Sequence, residues 1–162
     1  MRSMGVCLGA LLLAAAASAM AAPKLALSCM PVAETIPVGG PITVRITLRN
    51  DSGGPLEIPA VGLPWHSFYA ATFTVKNRRD VERVLPEGVP LELPSQTLAA
   101  GASLSGEVDL GRYLQLKDRR SIAEVPGRYE VEAKVLSMAK PVGGADFADI
   151  KLRCGPFTVT VI

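Results

Sequence analysis

Alternation of apolar and polar residues with a period of two is the feature that most constrains this chain. Residues 42–49 alternate through eight positions, and residues 128–136 repeat the pattern. Successive side chains of a strand point to opposite faces, so both segments are predicted to be half-buried β-strands. The apolar side of the second segment consists of Tyr129, Val131, Ala133 and Val135. Elsewhere no apolar pattern of helical period exceeds one turn, which excludes a helical bundle.

Further candidate strands follow at the spacing typical of all-β domains. They cover residues 56–58, 68–75, 81–85, 103–110, 150–154 and 157–161, the last two forming one strand bent at Gly155-Pro156. Residues 76–80 are expected to be a hairpin loop between two of these strands, and Asp109 a cap of one helical turn. The sequence predicts an all-β fold, an antiparallel immunoglobulin-like β-sandwich of seven to nine strands.

The first 21 residues have the layout of a secretory signal peptide. Arg2 precedes an apolar run at residues 6–17, and residues 19–21 fit the small-residue rule for cleavage. A run of about 12 apolar residues cannot cross a ~30 Å hydrocarbon core, which needs about 20. We predict cleavage after Ala21, a single domain over residues 22–162, and a periplasmic or secreted protein with no membrane segment after cleavage.

The composition argues against a disordered protein and against a nucleic-acid-binding protein. The chain is 49% hydrophobic, too apolar for a disordered protein, and 16 of its first 21 residues are apolar. Its formal net charge is +2 and falls by one when Arg2 is removed with the signal peptide. Such a small charge does not predict a nucleic-acid partner, whose binding domain shows a marked basic excess.

Two cysteines remain after cleavage, Cys29 and Cys154, close to the two ends of the mature chain. An even pair in an oxidising compartment predicts a disulfide. The competing interpretations are a metal site or a catalytic thiol, although neither cysteine has a nearby second cysteine or histidine.

Three stretches carry a resemblance to secreted bacterial immunoglobulin-like domains. They are residues 36–40 before the strand that ends at Asn50, residues 98–101 before the strand that ends at Leu110, and residues 125–131. The last resembles a tyrosine corner, which implies that the Tyr129 hydroxyl bonds nearby backbone and is structural. Residues 36–137 are also similar to BsuPI-type proteinase inhibitors and to the immunoglobulin-like domain that accompanies deuterolysin-type metalloproteases. The chain lacks the central inter-sheet cysteine pair of the immunoglobulin pattern and the metal-binding helix of those proteases.

Motifs for catalysis are missing. His66 is the single histidine, and no Gly-x-Ser-x-Gly elbow, phosphate loop or calcium loop accompanies it. We therefore expect a protein that is not an enzyme and needs no cofactor. A remote alternative is a periplasmic copper-binding protein that uses His66 with Met30 and Met138, since imidazole and thioether suit Cu(I).

Two kinds of surface are candidates for binding. The first is an aromatic cluster, Trp65, His66, Phe68 and Tyr69, which holds three of the eight aromatic residues. Such residues dominate interface hot spots, but Trp65 or Phe68 filling the core is the competing interpretation. The second is a basic loop with Arg78, Arg79 and Arg83, accompanied by a further cluster of Lys117, Arg119 and Arg120. Solvated loops are the preferred explanation of these charges, and an acidic envelope polymer or an acidic partner protein is the alternative.

The function predicted from the sequence is an exported, monomeric, non-enzymatic protein-interaction or accessory module that binds another exported protein. The alternative is a proteinase inhibitor of the BsuPI-like kind that presents residues 60–66 or residues 138–148 to a protease cleft.

Overall fold

Strands are the long regular elements of the structure. The computed structural model describes residues 21–66, 70–84 and 94–162, and these contain eleven strands, three 3₁₀ turns and no α-helix. The strands are β1 (Leu25–Pro31), β2 (Thr35–Ile36), β3 (Thr43–Asn50), β4 (Leu56–Ile58), β5 (Ala71–Val75), β6 (Val81–Arg83), β7 (Gln96–Leu98), β8 (Ser103–Asp109), β9 (Leu114–Leu116), β10 (Gly127–Pro141) and β11 (Ala148–Val161). The 3₁₀ turns are Ala60–Gly62, Leu110–Arg112 and Ile122–Glu124.

Two sheets and a short ribbon contain all of these strands. The first sheet has the order β1-β3-β8, and the second has the order β2-β11-β10-β4-β7, with β5 also paired to β10. Strands β6 and β9 form the ribbon. All pairs are antiparallel except β2 with β11, which pair in parallel over two residues.

The inner faces of the two sheets share one hydrophobic core. Val44 and Ile46 of the first sheet belong to the same buried cluster as Tyr129 and Val131 of the second. A second cluster lies around Leu48, and the side chains that pack against both clusters are Leu27, Trp65 and Leu152. The predicted all-β, antiparallel sandwich is therefore confirmed by the pairing and burial of the strands.

Strands β10 and β11 form the long hairpin at the centre of the second sheet. β10 has the predicted alternation but continues to Pro141. The predicted bend of β11 is a β-bulge, since the register between the two strands shifts between Val131 and Ala133. Gly155 lies opposite with φ +97°, and a Cβ there would be 2.8 Å from the Val131 carbonyl oxygen, so glycine is required.

The predicted hairpin across residues 76–80 is wrong in its pairing. β5 pairs with β10 and β6 pairs with β9, so these two strands are not partners of each other. The Asn77 side chain explains the difference, because it donates to the Arg128 carbonyl at 2.8 Å and accepts from the Glu130 backbone N–H at 3.0 Å. These bonds extend the ladder with β10 and direct the chain away from β5.

Four strands were not predicted, and the total exceeds the seven to nine expected. β2 has two residues, and β7 and β9 have three each, which is too short to show a period of two. β9 occupies part of the segment predicted as a helical turn, of which only Leu110–Arg112 is helical. The predicted cap is confirmed, since the Asp109 carboxylate accepts from the Gly111 backbone N–H. β1 is the fourth strand that was not predicted. The apolar residues Ala26 and Met30 lie on its outer side and obscure its alternation.

The predicted disulfide is confirmed. Cys29 of β1 and Cys154 of β11 are bonded, with their Cα atoms 5.7 Å apart. Because β1 belongs to the first sheet and β11 to the second, the bond connects the two sheets as well as the two terminal strands. It therefore closes one side of the sandwich where β1 has no neighbouring strand.

Tyr129 has the geometry of a tyrosine corner. Its side chain is fully buried, and its hydroxyl donates to the Val125 carbonyl at 2.8 Å, four residues upstream. Val125 follows the 3₁₀ turn Ile122–Glu124, which is fixed by a capping box between Ser121 and Glu124. The Arg78 guanidinium lies 5.5 Å from the centre of the Tyr129 ring.

Removal of the disulfide is expected to destabilise the protein strongly. The double variant Cys29→Ser/Cys154→Ser frees a very long loop in the unfolded chain, so we expect a loss of up to about 4–5 kcal/mol in the free energy of unfolding. Urea unfolding at neutral pH measures it, and reduced wild-type protein is the matched control. Equal midpoints for the oxidised protein and the double variant would contradict a stabilising bond.

Tyr129→Phe tests the tyrosine corner. Loss of the hydrogen bond to Val125 should cost about 1 kcal/mol near neutral pH. Burial raises the pKa of Tyr129, so its neutral form stabilises the fold at every pH below the ordinary tyrosine value. That contribution is lost as pH rises through the raised pKa. Urea unfolding from pH 7 to pH ~11 should therefore show a smaller alkaline loss of stability in the variant than in wild type.

Candidate functional site

The outer face of β5, β10 and β11 forms an open trough of about 390 Å³. Two rows of side chains across the sheet build it. In one row Lys134 lies between Thr72 and Arg153, and in the next Leu136 lies beside Lys151. The full set of lining residues is Ala70, Thr72, Lys134, Val135, Leu136, Lys151, Leu152 and Arg153. We call this surface the trough.

The alternation of β10 places these side chains outside. Val135 is 2% exposed and faces the core, so its neighbours Lys134 and Leu136 face the solvent. On β11, Lys151 and Arg153 are exposed in the same way on either side of Leu152. The antiparallel register then brings Lys134 opposite Arg153 and Leu136 opposite Lys151. Three cations from two strands therefore share one short stretch of sheet.

The charges of the trough are only partly balanced from within. Arg153 lies 3.8 Å from a carboxylate oxygen of Glu132, whose other oxygen is 4.0 Å from the Lys76 ammonium. In the part of the chain that the structure describes, no carboxylate oxygen lies within 4.0 Å of the ammonium groups of Lys134 or Lys151. The trough therefore presents a positive charge to the solvent.

Leu136 adds an apolar patch among these cations. Its side chain is 45% exposed on the outer face of the sheet. Ala70 lines the trough beside it, since the Leu136 backbone N–H donates to the Ala70 carbonyl at 2.8 Å. The surface can thus hold an apolar group surrounded by acidic groups.

The predicted aromatic cluster is divided by the structure. Trp65 is half-buried and packs on Gly106 of β8, where a Cβ would lie 2.1 Å from the indole Cγ. The indole also contacts both core clusters, which makes Trp65 a packing residue. His66 is exposed, with its ring centre 6.2 Å from that of Trp65. Phe68 and Tyr69 lie outside the described residues.

The predicted basic loop is not one basic surface. Arg78 is paired with Asp80 through two hydrogen bonds, which hold the pKa of that carboxyl below its ordinary value. Arg83 donates to the Ala71 carbonyl at 3.3 Å, and Arg79 is exposed. Two of the three arginines are therefore engaged in interactions within the fold.

The second basic cluster is also partly neutralised. Arg120 forms an ion pair with Asp118 at 2.6 Å, and its hydrogen bonds lower the pKa of that carboxyl. Lys117 and Arg119 are exposed in the same turn. Neither predicted cluster thus gathers its cations on one sheet face as the trough does.

The two methionines of the copper hypothesis lie on opposite sides of the molecule. Met30 is 70% exposed on the outer face of the first sheet, opposite Arg45, whereas Met138 lies on the outer side of β10 in the second. The sandwich core separates them. Across residues 21–66, 70–84 and 94–162, no group of three histidine, cysteine, aspartate or glutamate side chains is arranged to hold a metal ion.

Sequence reasoning missed the trough because its signal depends on strand register. Lys134 was assigned correctly to the outer side of its strand, but Lys151 and Arg153 are single cations of another strand. Only the pairing of Lys134 with Arg153 shows that they are neighbours. The predicted signal peptide, apart from Ala21, lies outside the described residues. Of the helices within the described ranges, none has the length and apolar content to cross a membrane.

Comparison with known proteins gives distant structural similarities. No family model and no curated protein matches the chain. The CARDB domain of a Pyrococcus furiosus protein, solved with di-metal ions, has a TM-score of 0.37 and 10% identity over 86% of this chain and 89% of its own. The major subunit AggA of Escherichia coli aggregative adherence fimbriae type I has a TM-score of 0.39 and 10% identity over 88% and 97%.

A β-glucosidase from Listeria innocua, in complex with gluconolactone, has a TM-score of 0.29 and 10% identity over 83% of this chain but 16% of its own. All three TM-scores are below 0.5, so the sandwich assignment depends on the strand pairing of this chain itself.

The packing of Trp65 on Gly106 is testable by changing either residue. In variants of Gly106, the emission of the single tryptophan reports on its surroundings. We expect Trp65→Ala to cost about 2–4 kcal/mol, because it opens a cavity between the two clusters. Gly106→Ala should cost about 1–3 kcal/mol and shift the indole emission, because the new Cβ overlaps the ring. Gly53→Ala is the matched control, since nothing lies within 4 Å of a Cβ there. An unchanged thermal midpoint in Trp65→Ala would instead support a surface role.

Proposed function

We propose that the protein is an exported, non-enzymatic interaction module that binds another exported protein through the trough. The carrying observation is the trough itself, in which Lys134 and Lys151 lack a carboxylate partner among the described residues. Charged groups arranged in this way supply orientation and specificity in protein association. They contribute little to the stability of the fold, because exposed charges interact weakly in water.

Two observations support export. The Cys29–Cys154 disulfide is of a kind that persists in oxidising compartments and is rare in the cytosol. The predicted signal peptide ends at Ala21, four positions before the first residue of β1, Leu25. A cut at that place leaves every described strand intact.

The BsuPI-like inhibitor is the second candidate, and one observation favours it. The candidate loop at residues 138–148 is in part strand, since β10 runs to Pro141 and β11 begins at Ala148. Val142, in the turn between these strands, is 47% exposed. The other candidate loop, residues 60–66, exposes Val61 to a similar extent but is anchored to the fold. Leu63 is fully buried, and the Gly62 carbonyl accepts from the Ser137 hydroxyl at 2.8 Å. An inhibitor would block a protease at stoichiometric concentration, whereas an interaction module would not.

A pair of charge-reversal variants tests the proposed surface. Lys134→Glu/Lys151→Glu should abolish chemical cross-linking of the purified protein to its partner in an exported-protein extract, because the trough becomes acidic. Arg79→Glu/Lys117→Glu is the matched control, with the same change in net charge at two exposed residues outside the trough. We expect it to cross-link like wild type.

Equal cross-linking by the two double variants would contradict the trough as the binding surface. Circular dichroism and urea unfolding of both variants exclude a folding defect as the cause of any loss.

A further inference from the structure

We infer that the trough binds an acidic segment of a protein in which an apolar side chain lies between carboxylates; this inference rests on the proposed function. The candidate ligand is defined by three features of the surface: the cations, the exposed leucine beside them and the internal carboxylate of Glu132.

The cations define the sign and spacing of the ligand charges. Lys134 and Arg153 face each other across β10 and β11, and Lys151 follows one row away. On one strand, side chains that point to the same face of the sheet are two residues apart. Lys151 and Arg153 are therefore spaced like alternate side chains of an extended peptide. Side chains at alternate positions of such a peptide match this spacing.

Leu136 defines the apolar part of the ligand. It pairs with Lys151 and lies one row from Lys134, so an apolar side chain placed on it has cations on two sides. Covering its exposed surface removes apolar area from water, which is favourable in proportion to the area buried. The same ligand can therefore pair with the cations and cover the leucine beside them.

The leucine also favours a peptide over an acidic polysaccharide. A polyanion would satisfy the lysines but would leave Leu136 uncovered or place polar groups against it, which costs desolvation. An extended peptide can supply carboxylates and an apolar side chain at alternate positions, where they point to the same face. The trough is lined by both kinds of group, and that mixture distinguishes the two ligands.

Glu132 weakens the site from within. Its side chain is 12% exposed, and one of its carboxylate oxygens lies 3.8 Å from Arg153. It thus competes with an incoming carboxylate for the same guanidinium. Neutralising Glu132 leaves every cation in place, so it should strengthen the binding of an acidic ligand.

Binding of synthetic peptides to the full mature chain, with its disulfide formed, tests the inference. The first probe is a short peptide in which one leucine stands between two glutamates at alternate positions (Glu-Ser-Leu-Ser-Glu), so that all three side chains can face the trough. The second probe has serine in place of that leucine. A polysulfated polysaccharide is the third. Affinities are measured by fluorescence anisotropy at low and at raised salt, for wild type and for single or double variants of the trough.

We expect the leucine peptide to bind wild type, with about tenfold weaker binding to Lys134→Glu/Lys151→Glu and unchanged binding to Arg79→Glu/Lys117→Glu. Glu132→Gln should bind it about two- to threefold more tightly. Leu136→Ala should lower the affinity for the leucine peptide about fivefold and leave that for the serine peptide unchanged, since only the first pair loses an apolar contact. Raised salt should lower the affinity for both acidic peptides, because it screens the exposed charges.

Other outcomes would overturn the inference in distinguishable ways. Equal affinity for the leucine and serine peptides, or tighter binding of the polysaccharide, would show a general anion surface. No binding of either peptide, together with cross-linking that depends on Lys134 and Lys151, would refute the acidic-segment ligand and leave the proposed function standing. Cross-linking that ignores those lysines would refute the proposed function itself.

Discussion

Burial of every second side chain of β10 is the constraint on which the rest of the structure depends. Six inward residues from Tyr129 to Ala139 are at most 2% exposed. A slip of one residue in register would turn all of them outward and bring Lys134 and Glu132 into the core. This penalty fixes the pairing of β10 with β11, β5 and β4, and through them the position of most of the second sheet.

The same constraint determines the outer face of β10, because the residues that alternate with its buried residues must point to the solvent. The burial of Val135 therefore fixes Lys134 and Leu136 on the outer face. The backbone of a binding surface on such a strand is fixed before its ligand arrives, so the conformational entropy lost on binding is that of the side chains. The scaffold and the candidate site thus share one strand, with opposite faces serving stability and recognition.

The sequence was sufficient for the fold class but not for the candidate site. Period-two alternation identified β3, β8, β10 and β11, because each is long enough to show it. β7 and β9, with three residues each, are too short, and the partner of β5 was mistaken because the side-chain bonds of Asn77 leave no periodic signal. The trough depends on register between strands, which no single segment encodes. The sequence indicates Trp65 as either a core or a binding residue. Its contact with Gly106 could not be predicted, because the two residues are far apart in the chain.

That contact has a consequence for how the sequence can change over time. The indole of Trp65 occupies the volume that any side chain at position 106 would need, so the two residues divide one fixed space between the sheets. A larger residue at 106 becomes tolerable only after Trp65 has been replaced by something smaller, and the intermediate with a small residue at both positions contains a void. Relatives of this chain should therefore inherit the pair together, as either a tryptophan with a glycine or a smaller residue with a side chain.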